Sequence, residues 1–173
     1  MMGRGLYAKL ADHMIVEADG VGNARQDRAE REGFEPGNNL IATLAECRRL
    51  HINGARGERA GKIVFDPIVW NKGLDGSFRH LPDLGDFIDI KTMWRDHHRL
   101  LVEVPRLVKD YAYVCVSSEN HPYYWFAGWR WGHELLQLNQ RDFPNRPAYF
   151  ATVAQLHKIY LLQQIVRDAR PFE

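Results

Sequence analysis

Short segments rich in β-branched and aromatic residues follow one another through the second half of the chain, and they restrict the fold more than any other feature. Residues 87–91, 100–104, 111–116 and 123–129 are of this kind, and residues 62–70 are a fifth example. Polar or turn-forming residues bound each of them, as is typical of β-strands. A succession of four or five such strands predicts a sheet with much antiparallel pairing.

Apolar residues at helical spacing lie on both sides of these strands. Residues 6–20 predict a first helix, and residues 39–52 predict a second helix, which the turn-forming pair Asn53-Gly54 ends. Toward the C-terminus, the pattern predicts a short helix over 132–138, a loop over 141–147 and a closing helix over 153–167.

The chain divides in the prediction into an extension and a core. Residues 23–38 are charged and contain helix-breaking Gly and Pro, so they predict a mobile connection. We therefore assign residues 1–38 to an N-terminal helix and charged connection, and residues 39–173 to the core domain. Helices outside a central mixed sheet make this an α/β or α+β fold in a single domain.

Composition and charge exclude several classes of protein. The 23 Lys and Arg nearly balance the 22 Asp and Glu, leaving a net charge of +1, so any nucleic-acid site must be local. No apolar run approaches the roughly 18 residues of a membrane span, so we expect no membrane partner. Cys47 and Cys115 lie far apart in apolar segments, which predicts reduced thiols and a cytoplasmic protein.

The segment 82–91 carries the residues best suited to catalysis. Alternation along a strand places Asp89 and Lys91 on one face and turns their apolar neighbours toward the core. A turn at residues 85–86 can bring Asp83 beside Asp89. Two such carboxylates repel each other unless a cation lies between them, and Mg²⁺ prefers oxygen ligands of this kind. Lys91 could then orient or help deprotonate a metal-bound water, or stabilise negative charge on a phosphate.

Pro82-Asp83 followed by Asp89-Ile90-Lys91 resembles the PD-(D/E)xK nuclease superfamily, which includes restriction endonucleases, Holliday-junction resolvases and phage exonucleases. The order of the surrounding elements is similar to that of uncharacterised phage-encoded members. The resemblance implies a restriction-endonuclease-like fold in which helices flank a central mixed sheet. It also implies that Asp83, Asp89 and the backbone carbonyl of Ile90 bind the metal, with Lys91 as the catalytic lysine.

Two further acidic residues are candidates for this site. Asp86 is an alternative to Asp83 as the first carboxylate, because the gap between Asp83 and Asp89 is short for the superfamily. Members often add a Glu from the helix before the sheet, and the resemblance gives this role to Glu46. The other interpretation of Glu46 is a surface residue paired with Arg49, and the spacing does not decide between the two.

Basic residues follow the catalytic segment closely and could hold a polyanion. Arg95, His97, His98 and Arg99 form one cluster, and Lys109 comes after the next strand. A local cluster of this kind supplies phosphate contacts, so we predict that these residues bind DNA. An ordinary polar hairpin loop would have the same composition.

The residues and the resemblance together predict a deoxyribonuclease that depends on Mg²⁺, or on Mn²⁺ in its place. It would hydrolyse phosphodiester bonds by the attack of a metal-activated water. DNA is the expected partner, and a homodimer is implied because restriction-like enzymes frequently pair. The alternative is a non-catalytic module of the same fold that binds nucleic acid or protein.

Overall fold

The N-terminal part of the chain forms one strand and two long helices. The structure is a computed structural model that describes residues 6–33, 43–74, 81–94, 99–138, 140–143 and 146–169. Strand β1 is Leu6–Lys9, helix α1 is Asp12–Arg31 and helix α2 is Leu44–Val64. A capping box begins α2: the Glu46 N–H donates to the Thr43 hydroxyl, and the Glu46 carboxylate accepts from the Thr43 N–H.

These elements correct the predictions for the first third of the chain. The predicted first helix begins as β1, and α1 continues through Asn23 to Arg31, where a mobile connection was expected. Likewise, α2 does not end at Asn53-Gly54, and it runs through the first residues of the predicted strand 62–70.

Glycines explain the error, because here they allow close packing. A Cβ on Gly22 of α1 would lie 2.5 Å from the Cα of Ile52 in α2, and a Cβ on Gly57 would lie 1.9 Å from the Thr92 hydroxyl. Glycine permits this close approach, so the packing of α1 against α2 and of α2 against Thr92 keeps both segments helical despite the low helix propensity of glycine.

β1 belongs to the main sheet of four strands, whose other members are β2 (Ile88–Met93), β4 (Ala112–Asn120) and β5 (Tyr123–Trp131). The order across this sheet is β1-β5-β4-β2. β2 runs parallel to β4, and the other two pairs are antiparallel, which confirms a mixed sheet. β2 therefore lies at one edge of the main sheet, where its outer side is open to other parts of the chain.

A second, antiparallel sheet has three strands, β3 (Arg99–Glu103), β6 (Gln140–Phe143) and β7 (Arg146–Thr152), in the order β3-β7-β6. The loop predicted over 141–147 is wrong, because two strands pair there as a hairpin. The predicted closing helix is shorter than expected, since residues 153–155 form a 3₁₀ turn. Helix α3 is Gly132–Leu135, and helix α4 is Ile159–Asp168.

β4 is buried on both faces and joins two apolar clusters. On one face, Val114 belongs to the main core, together with residues of β2, β5, α2 and α4. On the other face, Tyr113 and Cys115 pack with residues of the second sheet and α3. Cys115 and the part-buried Cys47 are both free thiols.

The fold is of mixed α+β class, with a mixed sheet flanked by helices. None of the helices in the described ranges is long and apolar enough to cross a membrane.

The segment assigned to an extension, residues 1–38, also contributes to this fold. β1 pairs with β5 and completes the main sheet, with Leu6 opposite Phe126. Helix α1 packs against α2, where Ala18, Val21 and Ala55 form a small buried cluster. Residues 34–42, which include the predicted start of the second helix, lie outside the described residues.

Candidate active site

Asp89 and Lys91 lie side by side on one face of the edge strand β2. The Lys91 ammonium is 2.5 Å from Oδ1 of Asp89, and it also lies over the Tyr113 ring at 5.5 Å from the ring centroid. Ile88 and Ile90 point to the opposite face and belong to the main core. The structure thus confirms the alternation that was expected for this segment.

A tight turn brings Asp83 to the same edge. Leu84 and Ile88 exchange two backbone hydrogen bonds, and Gly85 between them has a φ of +55°, a conformation that favours glycine. Oδ2 of Asp83 accepts a hydrogen bond of 2.6 Å from the Ile90 N–H. Asp86 is exposed at the tip of the turn. The structure therefore places Asp83, and not its alternative Asp86, beside Asp89.

The three residues line a cleft of about 670 Å³. The lining comes from helices α1 and α2, from β2 and the turn before it, and from residues that follow β3. The lining residues are Arg25, Ala29, His51, Glu58, Leu81, Asp83, Asp89, Ile90, Lys91, Pro105, Arg106, Val108 and Tyr111.

Glu58, and not Glu46, is the acidic residue that α2 contributes to the cleft. Glu46 lies in the first turn of α2, where its carboxylate caps the helix. Twelve residues separate the two positions, which is about 18 Å along a helix axis. The structure therefore does not bring Glu46 together with Asp83 and Asp89. Glu58 was missed because the helix was expected to end before it.

Three hydrogen bonds hold the Glu58 carboxylate. The Arg25 guanidinium donates to Oε1 at 2.6 Å and to Oε2 at 2.8 Å, and the Trp70 indole N–H donates to Oε2 at 2.8 Å. Asn71, beside Trp70, donates its N–H to the Asp83 carbonyl and its side-chain amide to the Pro82 carbonyl. The same short segment thus orients Glu58 and the turn that carries Asp83.

The carboxylates repel each other in the cleft. Burial, together with the negative charges of Glu58 and Asp89, holds the pKa of Asp83 well above its usual range. Burial alone would lower the pKa of the Lys91 ammonium, but the negative charges of Asp89 and Asp83 outweigh burial and raise it. Lys91 is consequently a cation at neutral pH.

The donor atoms at this edge fit a hard divalent cation such as Mg²⁺. Oδ1 of Asp89 is buried and, apart from its contact with the Lys91 ammonium, has no hydrogen bond. The N–H of Ile90 points at Asp83, and the carbonyl of a strand residue lies on the same side as its N–H, so the Ile90 carbonyl faces this edge too. Within the described ranges, no three His, Cys, Asp or Glu side chains form a ready metal-binding group.

The predicted DNA-binding residues lie in different places. Arg95, His97 and His98 lie outside the described residues. Arg99 is exposed at the start of β3, and Lys109 is exposed in the turn before β4, but neither lines the cleft. Arg106, close to Lys109 in the chain, does line it, and its side chain is 70% exposed.

Tyr111 is a further residue of the cleft lining that the sequence did not single out. Burial and the charge of Asp89 raise the pKa of its phenol, so the hydroxyl remains a neutral hydrogen-bond donor at neutral pH. Its ring packs against Tyr113 at a centroid distance of 6.4 Å. A tyrosine within the strand-like segment 111–116 is indistinguishable in sequence from a core residue.

The cleft combines acids that can bind a cation, an ammonium and a phenol, which together suit a phosphate ester. No protein-family model, no curated protein and no solved structure matches the chain. The geometry of the cleft therefore carries the functional argument.

Proposed function

We propose that this protein is a Mg²⁺-dependent deoxyribonuclease of restriction-endonuclease-like fold. The observation that carries the proposal is the meeting of Asp83 with the Asp89–Lys91 pair in one cleft at the edge of a mixed sheet. Glu58 on the helix beside that sheet adds the acidic residue that members of the resembled superfamily often have.

Five residues of the cleft have a role in this proposal. Asp83, Asp89 and the Ile90 carbonyl would hold the metal ion, which when bound would lower the pKa of a water ligand and draw charge from the phosphate. The Lys91 ammonium would stabilise the negative charge that develops on the phosphate oxygens. Tyr111, which also lines the cleft, would donate a hydrogen bond to the same group.

DNA is the proposed substrate. Arg106 at the mouth of the cleft, and the exposed Arg99 and Lys109 nearby in the chain, would contact backbone phosphates. Contacts of this kind carry little sequence information, so we expect cleavage with low sequence specificity. Formation of a homodimer and a cytoplasmic location stay predictions, and sedimentation of the purified protein tests the first of them.

The test is cleavage of plasmid and oligonucleotide DNA in the presence of Mg²⁺, Mn²⁺ or EDTA. We expect cleavage with either metal and none with EDTA. Asp89→Asn and Lys91→Ala should each lower the rate by about 10²–10³-fold, the usual effect of removing a group that stabilises the transition state. Asp86→Asn is the matched control: it removes a carboxylate from the same turn, outside the cleft, and should leave the rate unchanged. Metal-dependent cleavage that survives Asp89→Asn would exclude this site.

A non-catalytic nucleic-acid-binding module is the second candidate. The direct Lys91–Asp89 contact favours it, because the acid and the ammonium satisfy each other without a metal ion. This candidate predicts DNA binding that weakens as salt is added, with no cleavage under any metal condition.

A further inference from the structure

Glu58 is the most firmly held of the three carboxylates in the cleft. Its side chain is 6% exposed and that of Arg25 is 5% exposed. Their two parallel hydrogen bonds form a bidentate pair, the arrangement in which a guanidinium binds a carboxylate best. With Trp70 as a third donor, both oxygens of Glu58 already have protein partners.

The backbone that leads toward Asp83 fixes Arg25 in turn. Its Nε donates to the carbonyl of Lys72 at 2.8 Å, and one terminal nitrogen lies 3.4 Å from the carbonyl of Asn71. A guanidinium keeps its charge under all conditions in which proteins are stable. Arg25 is therefore a permanent cation at a fixed position beside Glu58.

The formal charges of the cleft favour a single divalent ion. Arg106 also lines the cleft, but its side chain is 70% exposed to solvent. Among the less exposed groups, the three carboxylates of Glu58, Asp83 and Asp89, when all are ionised, face the two cations Arg25 and Lys91, which leaves one net negative charge. One divalent ion changes this to one net positive charge. A second would leave three positive charges in a partly buried space, where like charges repel strongly.

We propose that Arg25 is a positioning residue that keeps Glu58 out of metal coordination, so that the cleft takes one divalent cation, at Asp83 and Asp89. The inference rests on the proposed function, because that proposal supplies the divalent cation. It goes further in separating the roles of the three acids: two bind the ion, and the third orients the site through Arg25 and Trp70.

The test measures how many Mn²⁺ ions the full chain binds, from the electron paramagnetic resonance signal of the free ion. We expect one ion per chain in the wild type and in Arg25→Lys, which keeps a cation beside Glu58. Arg25→Met frees Glu58 and should bind a second ion.

Since that variant leaves a buried charge unpaired and could fail to fold, the Arg25→Met/Glu58→Gln double variant is measured beside it. The Glu58→Gln change removes the charge and keeps an oxygen acceptor for Trp70.

The double variant decides whether Glu58 is a ligand. If Arg25 holds Glu58 aside, the double variant binds one Mn²⁺ with the wild-type affinity. If Glu58 coordinates the ion, the affinity falls by the roughly 10–100-fold or more that changes around a metal cause, and the inference is overturned. Two ions bound to the wild type would also overturn it.

Asp89→Asn separates this inference from the proposed function. The variant should lose Mn²⁺ binding. Unchanged binding in Asp89→Asn, or no Mn²⁺ binding by the wild type, would overturn the proposed function and the inference with it. The two outcomes described for the double variant and for wild-type stoichiometry overturn the inference alone.

Discussion

Asp83 is the residue at which the candidate function and the stability of the fold oppose each other. Its carboxyl group is part-buried near Glu58 and Asp89, and desolvation and both negative charges raise its pKa. A carboxyl group whose pKa is higher in the folded chain than in the unfolded chain binds its proton more tightly when folded. Its ionised form at neutral pH therefore opposes folding, and this destabilisation is absent at low pH.

We expect Asp83→Asn to be more stable than the wild type at pH 7 when no divalent cation is present. The change removes the repelled charge and keeps an oxygen to accept from the Ile90 N–H. The free energy of unfolding should rise by about 1 kcal/mol. The difference should vanish below about pH 3, where the carboxyl group is protonated in both states.

Urea unfolding of Asp83→Asn and the wild type in EDTA, at pH 7 and below about pH 3, measures this difference in stability. Asp86→Asn serves as the control, because Asp86 is exposed on the same turn. A lower stability of Asp83→Asn at pH 7 would contradict the electrostatic account of the cleft.

The residues of the cleft were only partly predictable from the sequence. Asp83, Asp89 and Lys91 are close together in the chain, so strand alternation and one turn were enough to bring them together. Glu58 and Arg25 reach the site through the packing of two helices, which no local pattern records. Glu46 was the predicted acid of this helix, and Glu58 was missed because it lies beyond the predicted helix end at Asn53-Gly54.

Among the elements, helix α2 depends on small residues where it crosses the main sheet. A Cβ on Gly57 would meet the Thr92 side chain, and a Cβ on Gly61 would lie 3.0 Å from Leu84 and 3.1 Å from Ile90. This close contact sets the depth at which Glu58, between the two glycines, enters the cleft. The position of one acid thus depends on the packing of a whole helix.

We expect Gly57→Ala to push α2 away from β2 and to lower the free energy of unfolding by about 1–3 kcal/mol, as overpacking does. Gly20→Ala is the control in helix α1, where a Cβ would meet nothing within 4 Å. That change should raise stability by about 0.5–1 kcal/mol, because alanine loses less backbone entropy than glycine in a helix. Thermal unfolding followed by circular dichroism compares the two, and equal effects would contradict the packing account.

Strands were predicted better than helices, because the signals that define the strands are local in the sequence and the packing partners of the helices are not. The strands β2, β3, β4 and β5 are rich in β-branched and aromatic residues, and local turn residues bound them. The helices contain glycines that were interpreted as ends, since their packing partners are distant in the chain. The hairpin of β6 and β7 was missed because residues 141–147 contain loop-forming residues such as Pro144 and Asn145.

At the scale of the whole molecule, the first and last thirds of the chain depend on each other. β1 pairs with β5, whose residues follow more than a hundred positions later. Arg25 of α1 supplies the partner for Glu58 of α2. The N-terminal segment is therefore part of the same folding unit as the cleft.

We expect a chain that begins at residue 39 to lose cooperative unfolding. Removal of β1 leaves the edge of β5 unpaired, and removal of α1 leaves Glu58 without its guanidinium partner. Circular dichroism and size-exclusion chromatography measure the loss. Co-expression of residues 1–38 as a separate peptide should restore the fold, and a stable, monomeric 39–173 chain would contradict the prediction.

The turn at Gly85 has a consequence for how a ligand would be received. Any larger residue there would be strained at a φ of +55°, and its Cβ would lie 2.7 Å from the Ile68 side chain. The two hydrogen bonds between Leu84 and Ile88 close the loop around it. The conformational entropy of bringing Asp83 and Asp89 together is thus lost during folding, so a cation that bound there would meet a preorganised site with little left to order.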